Sequence, residues 1–235
     1  AAEIDRTAEY PQDMFDLLRE LGLFALPFPE AYGGSNSMVS SCLAIEELGR
    51  ACYNTAYLLL LQWVPFGAIL AGGTQEQRER FLPRLAAGQV RGAISSTEPQ
   101  SGSDVAGIRT RAAEVPGGFR LTGSKIWCTN SHIADFVLVA ARVGDGKGSI
   151  GLFIVERGTP GLATGKPFDK LGMKSSPTAE VFLADVRVGP EQVLGEVGQG
   201  FHYMLRALDV ERVLEGASTV GIAQACLDAA GKYAL

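Results

Sequence analysis

Two short segments hold the residues best suited to chemistry, Ala93–Asp104 and Ser124–Asn130. The first ends a β-like run, Val90–Thr97, in a turn that contains Pro99, Gly102 and Ser103. Proline fixes φ, glycine permits a positive φ, and serine hydrogen-bonds nearby backbone groups. Because such a turn can present several N–H groups and hydroxyls to one small anion, we predict that it holds a phosphate group.

The second segment places Trp127 two residues before Thr129. Because residues i and i+2 of a strand share a face, an aromatic surface and a hydroxyl would lie side by side. Cys128 would point to the opposite face and pack as a small apolar residue. A phosphate-holding turn next to an aromatic plate suits a planar ring cofactor on a phosphate tail, such as a flavin nucleotide.

Each of these features also has an ordinary structural explanation. Serine, glycine and aspartate are common in turns, and tryptophan is usually a half-buried core residue. Near the end of the chain, Glu211 fits a solvated helix carboxylate beside Arg212 and Glu215 as well as it fits a catalytic base. Asp209 could simply pair with Arg212, three residues further along a helix. The residue types alone leave both explanations open.

Five segments together resemble the acyl-CoA dehydrogenase family. In chain order they are TEPQSGSD at Thr97–Asp104, WCTN at Trp127–Asn130, KLGMKSSPT at Lys170–Thr178, LGEVGQGF at Leu194–Phe201 and LDVER at Leu208–Arg212. Each segment is a weak signal alone, but their order and spacing make a strong one. The resemblance covers nearly the whole chain and is closest to the isovaleryl-CoA dehydrogenase type.

The resemblance implies that the cofactor is FAD. It assigns eight FAD contacts: Ile94, Ser96, Thr97, Gly102, Ser103, Trp127, Cys128 and Thr129. In the family the serine hydroxyl lies at the diphosphate, the indole lies against the isoalloxazine, and the threonine hydroxyl lies near flavin N5, where it stabilises developing charge. Ile94 stands where the family often has an aromatic residue, and Cys128 where an aliphatic one is common, so the shape of the pocket wall stays open.

The resemblance also implies an acyl-CoA substrate, with Ser103, Asp209 and Arg212 as contacts. Glu211 matches the position at which isovaleryl-CoA and long-chain types carry the catalytic base. Most other members carry the base in the distal C-terminal part. A carboxylate in an apolar pocket has a raised pKa, which suits the removal of a weakly acidic α-proton. The base is therefore either Glu211 or a distal carboxylate.

The implied function is FAD-dependent α,β-dehydrogenation of an acyl-CoA thioester to the 2-enoyl-CoA, with electrons passed to an electron-transfer flavoprotein. Two alternatives remain, an acyl-CoA oxidase that uses O₂ and a non-catalytic subunit of a heteromeric dehydrogenase. The resemblance further implies a homotetramer or dimer in the bacterial cytoplasm or the mitochondrial matrix.

Composition excludes several other classes. The 235 residues carry a formal net charge of −5 and no basic run, so nucleic acid and anionic membrane are not expected as partners. Four scattered cysteines without a C-x-x-C pair indicate reduced thiols in a cytosol-like compartment. Two distant histidines, His132 and His202, do not provide the clustered ligands of a metal site.

The start of the chain shows no signal peptide, because it lacks an apolar core. The most apolar run, Ala56–Ala71, is shorter than the roughly 20 residues that a membrane span needs. Gln62 and Pro65 also interrupt it, so we expect a buried helix with a break near Pro65 rather than a span. The abrupt start and the end at Leu235 suggest a fragment, or a chain ordered only in part.

Three predicted parts of the chain position these functional segments. Residues 1–90 should form a helical part, residues 91–197 a β-rich part, and residues 198–235 a second helical part. In the first part, Met14, Leu17, Leu18 and Leu21 follow the i, i+3, i+4, i+7 pattern of an amphipathic helix, and a helix is also expected over Val39–Arg50. Thr74 and Gln77 form a capping-box pattern. The strands expected in the second part are Phe119–Thr122, Ala134–Val143, Ile150–Glu156 and Ala179–Val188.

A hairpin-like loop is expected at Gly144–Gly148, and helix is expected to resume after Gly200, with a second stretch from about Glu211. No long helical period interrupts the strands, so the middle part should be an antiparallel sandwich or barrel. The fold class is thus α+β, with an N-terminal helical domain, a middle β-domain and the start of a C-terminal helical bundle. Family motifs that complete the flavin site and the dimer would lie beyond Leu235.

Overall fold

The computed structural model describes residues 1–144, 146 and 149–235. Its helices are α1 (Ala2–Thr7), α2 (Gln12–Glu20), α3 (Met38–Ala51), α4 (Tyr53–Gly72), α5 (Gln75–Ala86) and α6 (Gly200–Ala234). Its strands are β1 (Gly92–Ser95), β2 (Arg111–Val115), β3 (Gly118–Thr129), β4 (Phe136–Arg142), β5 (Ile150–Glu156), β6 (Leu162–Thr164) and β7 (Thr178–Val188). Part of the expected Gly144–Gly148 loop lies outside the described residues. The α+β order of helices, strands and helix is confirmed.

The helical part has α4 at its centre, packed against α3, α5 and α6. The side chains of α4 are apolar nearly all round, which is typical of a buried helix. Its polar groups are paired inside the fold, since Trp63 Nε1 donates to the Phe24 carbonyl at 2.8 Å and Gln62 Nε2 donates to the Leu85 carbonyl at 2.9 Å. Among the described helices, only α4 is long and apolar enough to cross a membrane, but 61% of its most apolar stretch is buried within the fold.

Helix α4 continues without interruption through Pro65, so the break expected there is wrong. A proline inside a helix removes one hydrogen bond and costs about 3 kcal/mol. Burial of apolar residues such as Leu59 and Leu60, each contributing about 1.5–3 kcal/mol, offsets that cost. The proline ring lies against Gly92 of β1, where an added Cβ would come within 2.8 Å of Pro65 Cγ. The missing side chain at Gly92 therefore makes room for the ring.

The capping box at Thr74 and Gln77 forms as expected, because the Gln77 N–H donates to Thr74 Oγ1 and the Thr74 N–H donates to Gln77 Oε1. The expectation of two helical stretches after Gly200 is wrong, because α6 is one helix of 35 residues. Gly216 within α6 does not end the helix, since the packing of α6 on α3 and α4 decides the conformation there.

The β-part is one curled sheet in the order β1–β4–β2–β3–β7–β6, with β5 paired to the other side of β4. Most pairings are antiparallel, as expected, but β1 pairs with β4 in parallel and β2 touches β4 in parallel at one residue pair. The expected strand Phe119–Thr122 is the beginning of the longer β3. Strand β3 pairs with β7 and has an irregular register between Lys125 and Cys128.

Strand β4 joins the helical and β parts through its two faces. Leu138 and Ala140 face the core shared with the helices, whereas Val137 and Val139 face the core inside the curled sheet. This alternation follows the period of two in a strand. The helices and the sheet are thereby packed on each other, and a cavity lies at their junction.

Candidate functional site

The junction of helices and sheet encloses a cavity of about 210 Å³. Four elements form its walls. Helix α4 contributes Tyr57, Leu61 and Val64, and α6 contributes Leu208 and Glu211. Strand β3 contributes Trp127 and Thr129, whereas Ile94 belongs to β1 and Ser96 directly follows that strand. Five of the residues singled out in the sequence therefore meet here. Thr97, Gly102, Ser103, Cys128, Asp209 and Arg212 are not among the residues that line it.

Trp127 and Thr129 both line the cavity, although the intervening backbone is not a regular strand. Trp127 has a φ of 59°, in the left-handed region, and sits in the register irregularity opposite β7. Its indole is 57% exposed and touches Phe168, with 4.5 Å between ring centroids. Left-handed backbone at a bulky residue costs about 1–3 kcal/mol and is found mostly at functional sites. The bulge therefore presents a large aromatic face at the mouth of the cavity.

Cys128, between these two residues, points into the core of the sheet and is 1% exposed. Its thiol donates to the Ile94 carbonyl at 3.4 Å, and burial raises its pKa to about 11. This is the small apolar role expected from the sequence. A direct cofactor contact by its side chain has no support from this placement.

The turn after β1 is held by reciprocal backbone hydrogen bonds between Glu98 and Ser101, at 2.9 and 3.0 Å. Within the described part of the chain, no hydrogen bond is made by the N–H groups of Gly102, Ser103 and Asp104 or by the Ser103 hydroxyl. An added Cβ at Gly102 would meet nothing within 4 Å, so the turn is open on this side. These donors fit an anion such as a phosphate.

The two functional segments are joined directly. The Ile126 N–H donates to the Thr97 carbonyl at 2.9 Å, next to the cavity-lining Ser96 and Trp127. The open turn and the exposed indole thus belong to one continuous surface. This donor set fits a flavin nucleotide, with the turn for the diphosphate and Trp127 and Thr129 for the ring.

A buried ion pair supports the turn from behind, and sequence reasoning missed it. Lys125 Nζ lies 2.8 Å from Glu98 Oε1 and donates to the Ser96 carbonyl at 3.1 Å. The N–H groups of Arg109 and Thr110 also donate to the Glu98 carboxylate, at 2.6 and 2.9 Å. Burial alone would raise the pKa of Glu98, but these hydrogen bonds outweigh it and lower the pKa to about 2. The sequence signal for this ion pair was a pair of opposite charges, Glu98 in the first functional segment and Lys125 in the second.

Glu211 is half-buried at the cavity, and its pKa is raised by burial and by the nearby Glu215, with Arg212 acting in the opposite direction. Tyr57, on the facing helix, was not singled out in the sequence. Its pKa is raised to about 12 by burial and by the charges of Glu211 and Glu215, while the Thr129 hydroxyl lowers it. Tyr57 is therefore a neutral phenol beside a carboxylate of enhanced basicity.

Asp209 and Arg212 lie on α6 outside the cavity and form an exposed ion pair of 3.4 Å. Their side chains are 71% and 66% exposed, so the pair contributes little to stability. The structure thus confirms the i, i+3 pairing. Both groups remain accessible to a charged ligand at the surface next to Glu211.

Two family models match the chain, "Acyl-CoA dehydrogenase, N-terminal domain" over residues 1–89 and "Acyl-CoA dehydrogenase, middle domain" over residues 93–186. The probable acyl-CoA dehydrogenase YngJ of Bacillus subtilis (strain 168) is 42% identical over 100% of this chain and 63% of its own length. The mitochondrial isovaleryl-CoA dehydrogenase of Solanum tuberosum is 37% identical over 99% of this chain and 58% of its own.

Among solved structures, butyryl-CoA dehydrogenase from Megasphaera elsdenii superimposes with a TM-score of 0.94 and 37% identity, covering 99% of this chain and 63% of that one. The chain therefore spans about six-tenths of the length of the relatives that it matches.

Proposed function

The chain belongs to the acyl-CoA dehydrogenase family, and from that premise we propose that it provides the flavin-binding and acyl-binding surfaces of an FAD-dependent acyl-CoA dehydrogenase. The observation that carries the proposal is the meeting of Trp127, Thr129 and Glu211 at one cavity. An aromatic face, a hydroxyl and a carboxylate with a raised pKa are the groups that α,β-dehydrogenation needs from the protein.

FAD would be held by the open turn and by the cavity wall that carries Trp127 and Thr129. When bound, it supplies the acceptor for the β-hydride of the acyl group. Ser103 and the neighbouring N–H groups would bind the diphosphate, and the Trp127 indole would cover the ring. Ile94, Ser96, Thr97 and Gly102 complete the proposed contacts. Cys128 would act only through its backbone and by packing, since its side chain points into the core.

Glu211 is proposed as the base that removes the α-proton. The Glu211 carboxylate lies in the cavity, and its raised pKa increases its affinity for that proton. Tyr57 stays protonated at neutral pH, so its phenol can donate a hydrogen bond in the cavity without competing as a base. Asp209 and Arg212, together with Ser103, are proposed contacts for the polar part of acyl-CoA, since they lie outside the cavity.

An electron-transfer flavoprotein is the proposed electron acceptor, and a homotetramer or dimer the proposed assembly. Because relatives come from bacteria and from mitochondria, a bacterial cytoplasmic or mitochondrial matrix location is proposed as well. The two alternative functions are an acyl-CoA oxidase and a non-catalytic subunit. The presence of Trp127, Thr129 and Glu211 at one cavity speaks against the non-catalytic subunit.

Anaerobic titration of the purified protein with acyl-CoA esters tests the function. We expect bound FAD and loss of its visible absorbance on addition of substrate. Reoxidation by O₂ with stoichiometric hydrogen peroxide would identify an oxidase instead. Protein that contains no flavin and takes up none would contradict the proposal.

A further inference from the structure

A narrow gap between α4 and α6 adjoins the cavity. The residues that border it are Leu60, Trp63, Val64, Val210, Glu211 and Leu214. The gap has no room for a water molecule, and apart from Glu211 its walls are apolar, so it is dry. Val64 and Glu211 also line the cavity, and the two spaces therefore meet at these two side chains.

The spacing of residues along α4 explains why the two spaces are separate. Tyr57, Leu61 and Val64 follow the i, i+4, i+7 pattern of one helix face, and this face lines the cavity. Leu60 and Trp63 lie on the neighbouring face, which borders the gap. Val64 stands where the two faces meet, so its side chain forms part of the wall between the cavity and the gap.

The far wall of the gap is fixed by packing. Leu60, Trp63 and Leu214 are buried in the core that the helices share. Trp63 Nε1 also donates to the Phe24 carbonyl at 2.8 Å, which holds the indole in place. Because core side chains are close-packed, they have little freedom to make room for a ligand. Access to the gap from the cavity therefore depends on the residues at which the two spaces meet.

We propose, on the premise of the dehydrogenase function proposed above, that Val64 ends the acyl-binding space and restricts the protein to short acyl groups. An alkyl chain needs an apolar wall, which Leu61, Val64 and Leu208 provide in the cavity. Of the two residues shared with the gap, Glu211 is the proposed base, so the size of Val64 sets the depth. The cavity volume of about 210 Å³ is below the roughly 300–1,000 Å³ of pockets for drug-sized ligands, which agrees with a short chain.

A longer acyl chain has no space beyond Val64. It would have to displace close-packed side chains, and overpacking of this kind is unfavourable. Val64→Ala removes two methyl groups from the wall and joins the gap to the cavity. Each further methylene group that is then buried should raise the affinity about fourfold.

The test measures kcat/KM of the flavin-loaded protein for butyryl-CoA, hexanoyl-CoA and octanoyl-CoA. In the wild type we expect the value for octanoyl-CoA to be at least about tenfold below that for butyryl-CoA. In Val64→Ala the ratio of octanoyl-CoA to butyryl-CoA should rise by about tenfold or more. The matched control is Val90→Ala, the same change at a buried position that borders neither space, and it should keep the wild-type ratio.

Val64→Leu is a second variant that does not leave a cavity between α4 and α6. Its larger side chain should lower the ratio of hexanoyl-CoA to butyryl-CoA below that of the wild type. A wild type that uses octanoyl-CoA as well as butyryl-CoA, or ratios that stay the same in both Val64 variants, would overturn the inference while leaving the dehydrogenase function intact. If no acyl-CoA reduces the flavin in any of the proteins, the dehydrogenase function itself fails.

Discussion

Ser103 is the residue that most directly tests where a diphosphate would bind, because its hydroxyl and the neighbouring N–H groups are unused in the described structure. We predict that Ser103→Ala weakens FAD binding about fivefold or more, since a charge-assisted hydrogen bond to phosphate contributes about 1 kcal/mol or more. Fluorescence titration of the apoprotein with FAD measures this. Ser124→Ala, at an exposed position of β3, is the matched control. Equal affinities for both variants would place the diphosphate elsewhere.

Because Glu98 and Lys125 form a buried ion pair, we predict that the free energy of unfolding depends on pH. The pKa of Glu98 falls from 4.5 to about 2 in the folded protein, so the folded state binds a proton less readily than the unfolded state. The stabilisation is therefore complete above the pKa that Glu98 has in the unfolded state. It is lost as the pH falls through the pKa that Glu98 has in the folded state. We expect the free energy of unfolding to drop by about 3 kcal/mol between roughly pH 5 and pH 2 on account of this group.

The control for this pH effect is the double variant Glu98→Gln/Lys125→Met, which removes both charges and leaves neither buried alone. Urea unfolding at a series of pH values should give it a flatter slope than the wild type over that window. Parallel curves would show that the carboxylate has an ordinary pKa in the folded protein. The single variant Lys125→Met should be strongly destabilised, by about 3–5 kcal/mol, because it leaves a buried unpaired carboxylate.

At the scale of elements, the crossing of α3 and α6 depends on glycine. An added Cβ at Gly221 would come within 2.0 Å of the Glu46 carbonyl, whereas one at Gly216 would meet nothing within 4 Å. We predict that Gly221→Ala destabilises the protein by about 1–3 kcal/mol through overpacking. Gly216→Ala should stabilise it by about 0.5–1 kcal/mol, because alanine favours the helical backbone. Thermal unfolding of the pair gives opposite shifts in Tm if this crossing is correct, and shifts of the same sign if it is not.

The elements that could be predicted from sequence are those with local signals. The capping box at Thr74 and Gln77 and the strand Ile150–Glu156 agree with the structure because hydrogen bonding and apolar patterning near each site decide them. Pro65 was misleading, since its local cost is outweighed by burial of the whole of α4. The continuity of α6 was missed for the same reason, because packing on α3 and α4 overrides the local composition.

The sequence predicted which residues form the candidate site but not how the backbone positions them. The pairing of Trp127 and Thr129 at one surface could be predicted, but not the left-handed backbone at Trp127 that exposes the indole. That conformation depends on the register irregularity against β7, for which the sequence of β3 alone contains no signal. Tyr57 was missed because it lies far from Glu211 along the chain, and only the packing of α4 on α6 brings both residues to one cavity.

At the scale of the whole molecule, the cavity lies where the helical part meets the sheet. It draws its walls from α4, β1, β3 and α6, which span most of the chain. The proposed reaction requires both the flavin-binding surface of β3, with Trp127 and Thr129, and the base Glu211 of α6. The central claim is therefore that Glu211 removes a proton from an acyl group held against a flavin.

Stopped-flow reduction of the bound flavin by an acyl-CoA, in the wild type and in Glu211→Gln, tests this claim most directly. Glutamine keeps the shape of the side chain but cannot accept the proton, so FAD content and acyl-CoA binding should survive while the reduction rate falls by at least about 10²-fold. The wild-type rate should also fall at low pH, as the raised pKa of Glu211 is approached from above. Reduction of Glu211→Gln at nearly the wild-type rate would contradict the account and assign the base to another carboxylate.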